Sequence, residues 1–519
     1  MPMLVGDILL RQARINSKKV GLVDGDKRLT YTEINERVNR LANGLIHLGL
    51  KKGSKVAFMA NNCHQFAETF FACAKAGLVI VPVNARFNAN EITYTLNHSE
   101  SDVFVYQNEF EEITKKARPS LTTVKHFVKI GGAGEAVFSY EVFLDSASPE
   151  EPKVPVNMDD WVMIMYTSGA TGDAKGVISA QRNLMAMVNS MTFEVRVVPE
   201  DVNLLVMPMF HAGGLWPLMT HFYRGATTVI LPRFDEEKVL EMVEKEKITF
   251  LNLVPTTLRR LSLRPDLKNC DLSSLRLIMY AGAPIPLHQL KEAMRVFGPH
   301  RFNTGLGATE ASCGGMLNID VGEHARALDG PLAGKLGSVG RDSMGIEVRI
   351  VDENDNEVPP GQVGEIIARG DHIALGYWKM PEETARTFKN GWLHTGDLGY
   401  KDEDAYVFIA GRKKDIIISG GENISSLEVE EAVTQHPAVT EAAVIGVPDE
   451  VWGEAVKAVV ALRSDYPEKV TDREIIDFCK GKLAGYKCPK SVDFVKELPK
   501  NPAGKIRKVE LKERYKVQK

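Results

Sequence analysis

Short apolar runs, several of which break off into glycine-rich loops, constrain this chain more than any other feature. Such runs occupy residues 55–59, 78–83, 161–165, 202–207, 227–231, 249–254 and 275–280. Each has strand length and is bounded by polar or turn-forming residues. Between several of them lie helical patterns. Residues 31–48 carry Ile34, Val38, Leu41, Leu45 and Leu48 on one face, and Gly49 stands where a C-cap is needed. Residues 65–76 and 236–246 read as further helices. Strands alternating with helices predict α/β layers around a largely parallel sheet. In such sheets the ligand crevice lies beyond the carboxyl ends of the strands, where these loops would converge.

The texture changes after residue 340. Residues 345–351 alternate, D-E-N-D-N-E makes a turn and G-E-I-I-A-R-G opens another strand, which suggests a small antiparallel or barrel-like sheet. From residue 415 a unit of about 100 residues follows. It holds helical patterns at 426–435 and 472–483 and strands near 441–447 and 455–463. At 519 residues the chain is too long for one core. The expected class is α/β: a large N-terminal domain (1–413) of layered α/β sheets plus the small barrel-like sheet, and a small mobile α+β C-terminal domain (414–519).

Bulk properties exclude several functions. A formal net charge of −4 argues against binding nucleic acid by phosphate neutralisation. Six scattered cysteines without a C-x-x-C pair imply neither a zinc site nor a disulfide framework. No apolar run reaches the roughly 18 residues of a membrane span. The first residues read as an amphipathic helix, not a signal peptide, so a cytoplasmic location is expected.

Residues 166–177 read Y-T-S-G-A-T-G-D-A-K-G-V and follow the 161–165 run. Three glycines expose backbone N–H groups, Thr and Ser add hydroxyl donors, and Lys175 adds a cation. That composition suits a polyphosphate, although Gly and Ser also mark plain surface turns. It is not a Walker A loop, because Asp173 and Ala174 separate Gly172 from Lys175.

Taken with P-M-F-H, L-G-A-T-E, G-E-I-x-x-x-G-x-x-x-x-x-G-Y-W from Gly364, H-T-G-D, G-R-K-K-D and P-A-G-K, the loop resembles the adenylate-forming superfamily: acyl-CoA synthetases, adenylation domains and beetle luciferases. The motifs occur in that family's order across nearly the whole chain. The resemblance implies a two-step reaction. A carboxylate attacks the α-phosphate of Mg-ATP to give acyl-AMP and pyrophosphate, and a thiol then displaces AMP.

The resemblance also assigns residues. Thr167, Ser168, Gly169, Ala170, Thr171, Gly172 and Lys175 would grip the phosphates, and Thr309 would bond the α-phosphate. Gly282, Ala283, Pro284, Leu306 and Gly307 would line the nucleotide. Asp397 and Arg412 would hold the ribose, and Glu310 would hold Mg²⁺. Lys505 would bridge the attacking carboxylate and the α-phosphate; without the resemblance, the run Lys500, Lys505, Arg507 and Lys508 reads as a solvated tail. Lys414 would be the hinge on which the C-terminal domain swings to present Ser419, Gly420 and Gly421 to coenzyme A. His211 is either structural or a gate to the acyl site. Ala212, Gly213, Trp216, Gly305 and Met316 would line a roomy, apolar acyl pocket with few polar groups.

Five positions depart from the family pattern: Ala170, Ala174, Leu306 and the pair Ala180-Gln181. None removes a charged group from the chemistry. The expected activity is therefore an ATP-dependent acyl-CoA synthetase for a medium-chain fatty, aryl or cyclic acid, with a homodimer as the expected assembly to test. The alternatives are an adenylation enzyme that loads a carrier protein and a non-catalytic nucleotide-binding protein.

Overall fold

The structure, a computed structural model, describes residues 3–132, 134, 137–167, 174–463, 466, 469–500 and 504–516. The described residues form four sheets, of nine, eight, five and five strands. In the nine-stranded sheet the central strands Thr227–Ile230, Val202–Leu205, Phe250–Leu253, Leu277–Ala281 and Phe302–Gly307 run parallel. The eight-stranded sheet is built around Val79–Pro82, Lys55–Met59, Ser101–Gln107 and His126–Ile130, again parallel. One hydrophobic core joins residues of both sheets, with helices His64–Ala76 and Gln181–Glu194 contributing to it. Every residue of His64–Ala76 is buried, as a helix packed on all sides must be.

Local signals explain several boundaries. Helix Tyr31–His47 starts at Thr30, whose hydroxyl and the Glu33 carboxylate close a capping box. Such a cap contributes about 1 kcal/mol. Ile34, Val38, Leu41 and Leu45 of the predicted stripe are buried, while Leu48 falls at the C-cap and is partly buried. The strands Lys55–Met59 and Gly364–Gly370 fall on the predicted stretches.

The third sheet is antiparallel, with Ile346–Val351, Gly364–Gly370, Trp392–Lys401 and Val407–Arg412 curling over their own small core. After the short turn Lys413–Asp415 the fourth sheet begins at Ile416–Ser419 and packs against helices Ser426–Thr434 and Asp472–Lys480. The expected fold class is the observed one. Among the described residues no helix is long and apolar enough to cross a membrane.

Two local features differ from the pattern reading. The glycine-rich stretch sits between antiparallel strands, Trp161–Thr167 and Lys175–Ala180, with Thr167 opposite Lys175. A helix, Ala212–Arg224, follows His211 where the sequence pattern gave none. Its Gly213, Gly214 and internal Pro217 are helix breakers by propensity. Burial of Leu215, Leu218, Met219 and Phe222 outweighs that penalty.

Candidate active site

The C-terminal segment around Lys505 reaches the ends of two strands of the nine-stranded sheet. Lys500 pairs with Ile506 in an isolated antiparallel bridge, and Gly504 and Lys505 lie just before Ile506 at a tip. The basic run then separates into tethers and a probe. Lys500 Nζ lies 2.7 Å from Glu441, and Lys508 Nζ lies 2.7 Å from Glu430. Both tether partners belong to the C-terminal unit.

Between these tethers, Gly504 and Lys505 reach the large domain. Gly504 has φ +79°, a left-handed conformation that favours glycine, and packs against Val254 and Thr256 beyond strand Phe250–Leu253. The Lys505 stem lies against Gly282, beyond strand Leu277–Ala281: a Cβ on Gly282 would stand 3.5 Å from Lys505 Cε. Burial among protein groups and the Arg412 cation lower the Lys505 pKa, while Asp397 and Glu310 oppose the shift. The side chain nonetheless keeps a solvent-exposed surface.

Asp397 faces Arg412 across the paired strands Trp392–Lys401 and Val407–Arg412, with Arg412 Nε 2.7 Å from its Oδ1. Burial raises the Asp397 pKa, and the Arg412 and Lys505 cations only partly offset it. The carboxylate is thus a desolvated acceptor held by one cation.

Glu310 occupies the short turn Thr309–Ala311, directly after Thr309. The Tyr377 hydroxyl donates to Glu310 Oε1 at 2.8 Å, and the Ala374 N–H donates to the Glu310 carbonyl at 2.9 Å. Ser312 and Cys313 follow with φ of +49° and +70°, a sparsely populated conformation for such residues. Ser179 Oγ donates to Ser312 Oγ at 3.0 Å and helps to hold this turn. Lys175 is ion-paired to Glu383, and its Nζ sits 5.1 Å from the centre of the Tyr377 ring. Glu383, Lys175, Tyr377 and Glu310 therefore form one connected group. Pattern reading missed two members. Tyr377 lies in the quoted G-Y-W segment and was open to notice, whereas Glu383 carries no local signal.

His211 precedes helix Ala212–Arg224 as its N-cap residue. Its Nε2 is buried without a hydrogen bond, and burial, helped by Lys505 and Arg86, brings its pKa down to about 4. The ring is neutral at physiological pH. Gly213 accepts a 2.7 Å hydrogen bond on its carbonyl from Asn252 Nδ2. Trp216 packs edge-on against Phe250, and Met316 is fully buried in the core beneath the curled sheet. Gly305 has no room for a side chain, because a Cβ would stand 2.1 Å from the Leu317 carbonyl oxygen. Leu306 is partly buried against that same core and Gly307 is exposed. Ala283 and Pro284 follow Gly282 in the loop that meets Lys505.

Ser168, Gly169, Ala170, Thr171 and Gly172 lie outside the described residues, while Thr167 ends its strand. Lys414 sits in the turn between the last two sheets, and its carbonyl accepts from Lys512 Nζ at 3.2 Å. Ser419, Gly420 and Gly421 form the turn between strands Ile416–Ser419 and Glu422–Ser425. A Cβ on Gly420 would strike Trp452 at 2.7 Å, whereas Gly421 has open space around it.

Residues 9–378 match the family model for the AMP-binding enzyme, and residues 428–505 match that for the AMP-binding enzyme C-terminal domain. A feruloyl-CoA synthase of an Amycolatopsis species is 36% identical over 98% of this chain and 99% of its own length. A long-chain-fatty-acid–CoA ligase of Mycobacterium tuberculosis is 33% identical over 98% of both chains. The crystal structure of an anthranilate CoA ligase in complex with anthranoyl-AMP superposes with a TM-score of 0.92 at 28% identity, covering 99% of this chain and 98% of that one. Fold, motifs and relatives agree: the chain belongs to the AMP-binding enzyme family, among its adenylate-forming acyl-CoA synthetases.

Proposed function

We propose that this synthetase activates an apolar carboxylic acid, fatty, aryl or cyclic, as acyl-AMP and passes the acyl group to the thiol of coenzyme A. In the first step a carboxylate oxygen bonds to the α-phosphorus of ATP and the bond to pyrophosphate breaks. In the second step the thiolate adds to the acyl carbon, and the carbonyl–phosphate bond breaks to release AMP. The first step brings one anion onto another, so its barrier is mainly electrostatic.

The observation that carries the reading is the tip. Lys505 stands against Gly282 with Asp397, Glu310 and Arg412 close enough to perturb it. In that place its ammonium would bridge the carboxylate and the α-phosphate as charge builds, with Thr309 donating to the same phosphate. Asp397 would accept the ribose hydroxyls and Arg412 would steady them. Lys175 would exchange Glu383 for the outer phosphates, which offer more charge. His211, neutral, would line the carboxylate's entry without competing as a cation.

Glu310 suits Mg²⁺, since it is one hard oxygen donor oriented by Tyr377, and that cation takes most of its ligands from water and phosphate. When bound, it would neutralise charge on the phosphates. For the second step, residues 414–519 would turn at Lys414 as a unit, carry Lys505 out and bring the Ser419–Gly421 turn to the pantetheine arm.

A pyrophosphate-release screen tests this, with coenzyme A and acids from acetic to hexadecanoic plus cinnamic, benzoic and cyclohexane carboxylic acids. Release dependent on one apolar group of these acids and on coenzyme A for turnover is expected. Turnover with a holo-carrier protein but not with coenzyme A would reassign the acceptor. No release from any acid would break the ligase reading.

A further inference from the structure

Asn303 is fully buried at 0% exposure, and neither its Nδ2 nor its Oδ1 makes a hydrogen bond. Buried amides are rarely left so, and each such group asks for an explanation. Its place in the sheet supplies one. On strand Phe302–Gly307 side chains alternate between faces. Phe302 joins the core on one side with Tyr280 and Ile278. Asn303 therefore faces the other side, level with Met279 on the neighbouring strand.

Met279 belongs to the core shared with Met187, Met191 and Trp216 from the two covering helices. One strand further, level with Met279, stands Asn252. That side chain has its partner, the Gly213 carbonyl, and so ties the first turn of helix Ala212–Arg224 over this rung of the sheet. Asn303, at the other end of the rung, is left with both a donor and an acceptor.

Gly305 lies two residues further along the same face as Asn303. It is paired with Ala281, which directly precedes the Gly282 that touches Lys505. A strand rises about 3.3 Å per residue, so Asn303 sits about 7 Å deeper than Gly305. An acid whose carboxylate is held at Lys505 and whose body follows this face passes a glycine and then meets the free amide.

We propose that Asn303 is a specificity-determining residue that hydrogen-bonds an oxygen carried by the far part of the acyl group. The substrate class narrows to acids with an apolar body and a distal hydroxyl or carbonyl. This rests on the ligase reading above. It also revises the expectation of a pocket with few polar groups, because a site built to bond a hydroxyl discriminates against the analogue that lacks it.

The test compares kcat/KM for pyrophosphate release, with coenzyme A present, for para-hydroxyphenylpropanoic acid and its near-isostere para-methylphenylpropanoic acid. The wild type should favour the hydroxy acid by about tenfold or more. Asn303→Leu should bring the two within about twofold, by losing the hydroxy acid and gaining the methyl acid. The free variant should melt at the same temperature or higher, since it no longer buries an unmet amide. A wild-type preference for the methyl acid overturns the proposal even if the variant fails to fold. So does a ratio unchanged in Asn303→Leu together with a lower melting temperature, which would mark a structural amide. Release from the wider acid screen but from neither of this pair overturns the proposal and leaves the ligase reading standing. Silence across the whole screen removes both.

Discussion

Two turns of the C-terminal unit behave differently, although each depends on glycines in the left-handed region. The turn at Gly504 and Lys505 is engaged, with Val254 and Thr256 against the glycine and Gly282 against the lysine stem. At the turn of Gly420 and Gly421, Gly420 stands against Trp452 of its own unit, itself 51% exposed, and Gly421 is open on its Cβ side. One turn is docked on the large domain while the other offers a bare backbone. The lesson is division of labour. Under the proposed reaction, one unit would carry two working turns that take the site in succession, with the short turn Lys413–Asp415 as the place to pivot.

The contrast is broken or sharpened by four measurements. The largest effect belongs to Lys505→Ala. Acyl-AMP formation should fall about 100- to 1,000-fold, the usual cost of removing one preorganised charge-stabilising group. Thioester formation from supplied acyl-AMP should stay within about threefold. Equal losses in both half-reactions would remove the distinction between the tips.

The same lysine sets a pH test. Its pKa lies below the ordinary 10.5, and the proposed bridging role requires the protonated form. For acyl-AMP formation, kcat/KM for ATP should therefore decline at alkaline pH with a midpoint under 10.5. Thioester formation from supplied acyl-AMP should instead climb over that range as the coenzyme A thiol ionises. A shared alkaline decline would count against the assignment.

At the open turn, Gly421→Ala should leave pyrophosphate release unchanged and slow the thioester step about tenfold, because a Cβ would crowd an arm passing close to the backbone. If the two steps respond in the reverse order, the open turn is not the thiol's path. The smallest effect concerns the tethers. Glu441→Gln removes the partner of Lys500 and loosens the docked tip, so adenylation should weaken about threefold to fivefold, the scale of a partly buried ion pair. A thioester half-reaction that falls with it would show a general loss of folding, which a melting curve would register.

Much of this was legible in the chain as written. The helix Tyr31–His47 announces itself through its capping box and apolar stripe, and the strands Lys55–Met59 and Gly364–Gly370 through length and flanking turns. These signals are local, set by side-chain spacing over a few residues, and survive in any context. The order of the glycine-rich and charged motifs likewise names the family before any fold is seen.

Other properties belong to the tertiary structure alone. Nothing in the spacing of Lys500, Lys505 and Lys508 tells which are tethered within the C-terminal unit; the ion pairs of Lys500 with Glu441 and of Lys508 with Glu430 decide it, while Lys505 lies against Gly282. Tyr377 acquires its role only because its short strand lies beside Lys175–Ala180, which brings its hydroxyl to Glu310. Asn303 looks like an ordinary strand residue until the pleat turns it inward, level with Met279, where it is fully buried and neither amide atom is hydrogen-bonded. Local periodicity determines which elements form and which faces are apolar. The pairing of charges and the desolvation of single polar groups depend on residues far apart in the chain, so only their packing can settle them.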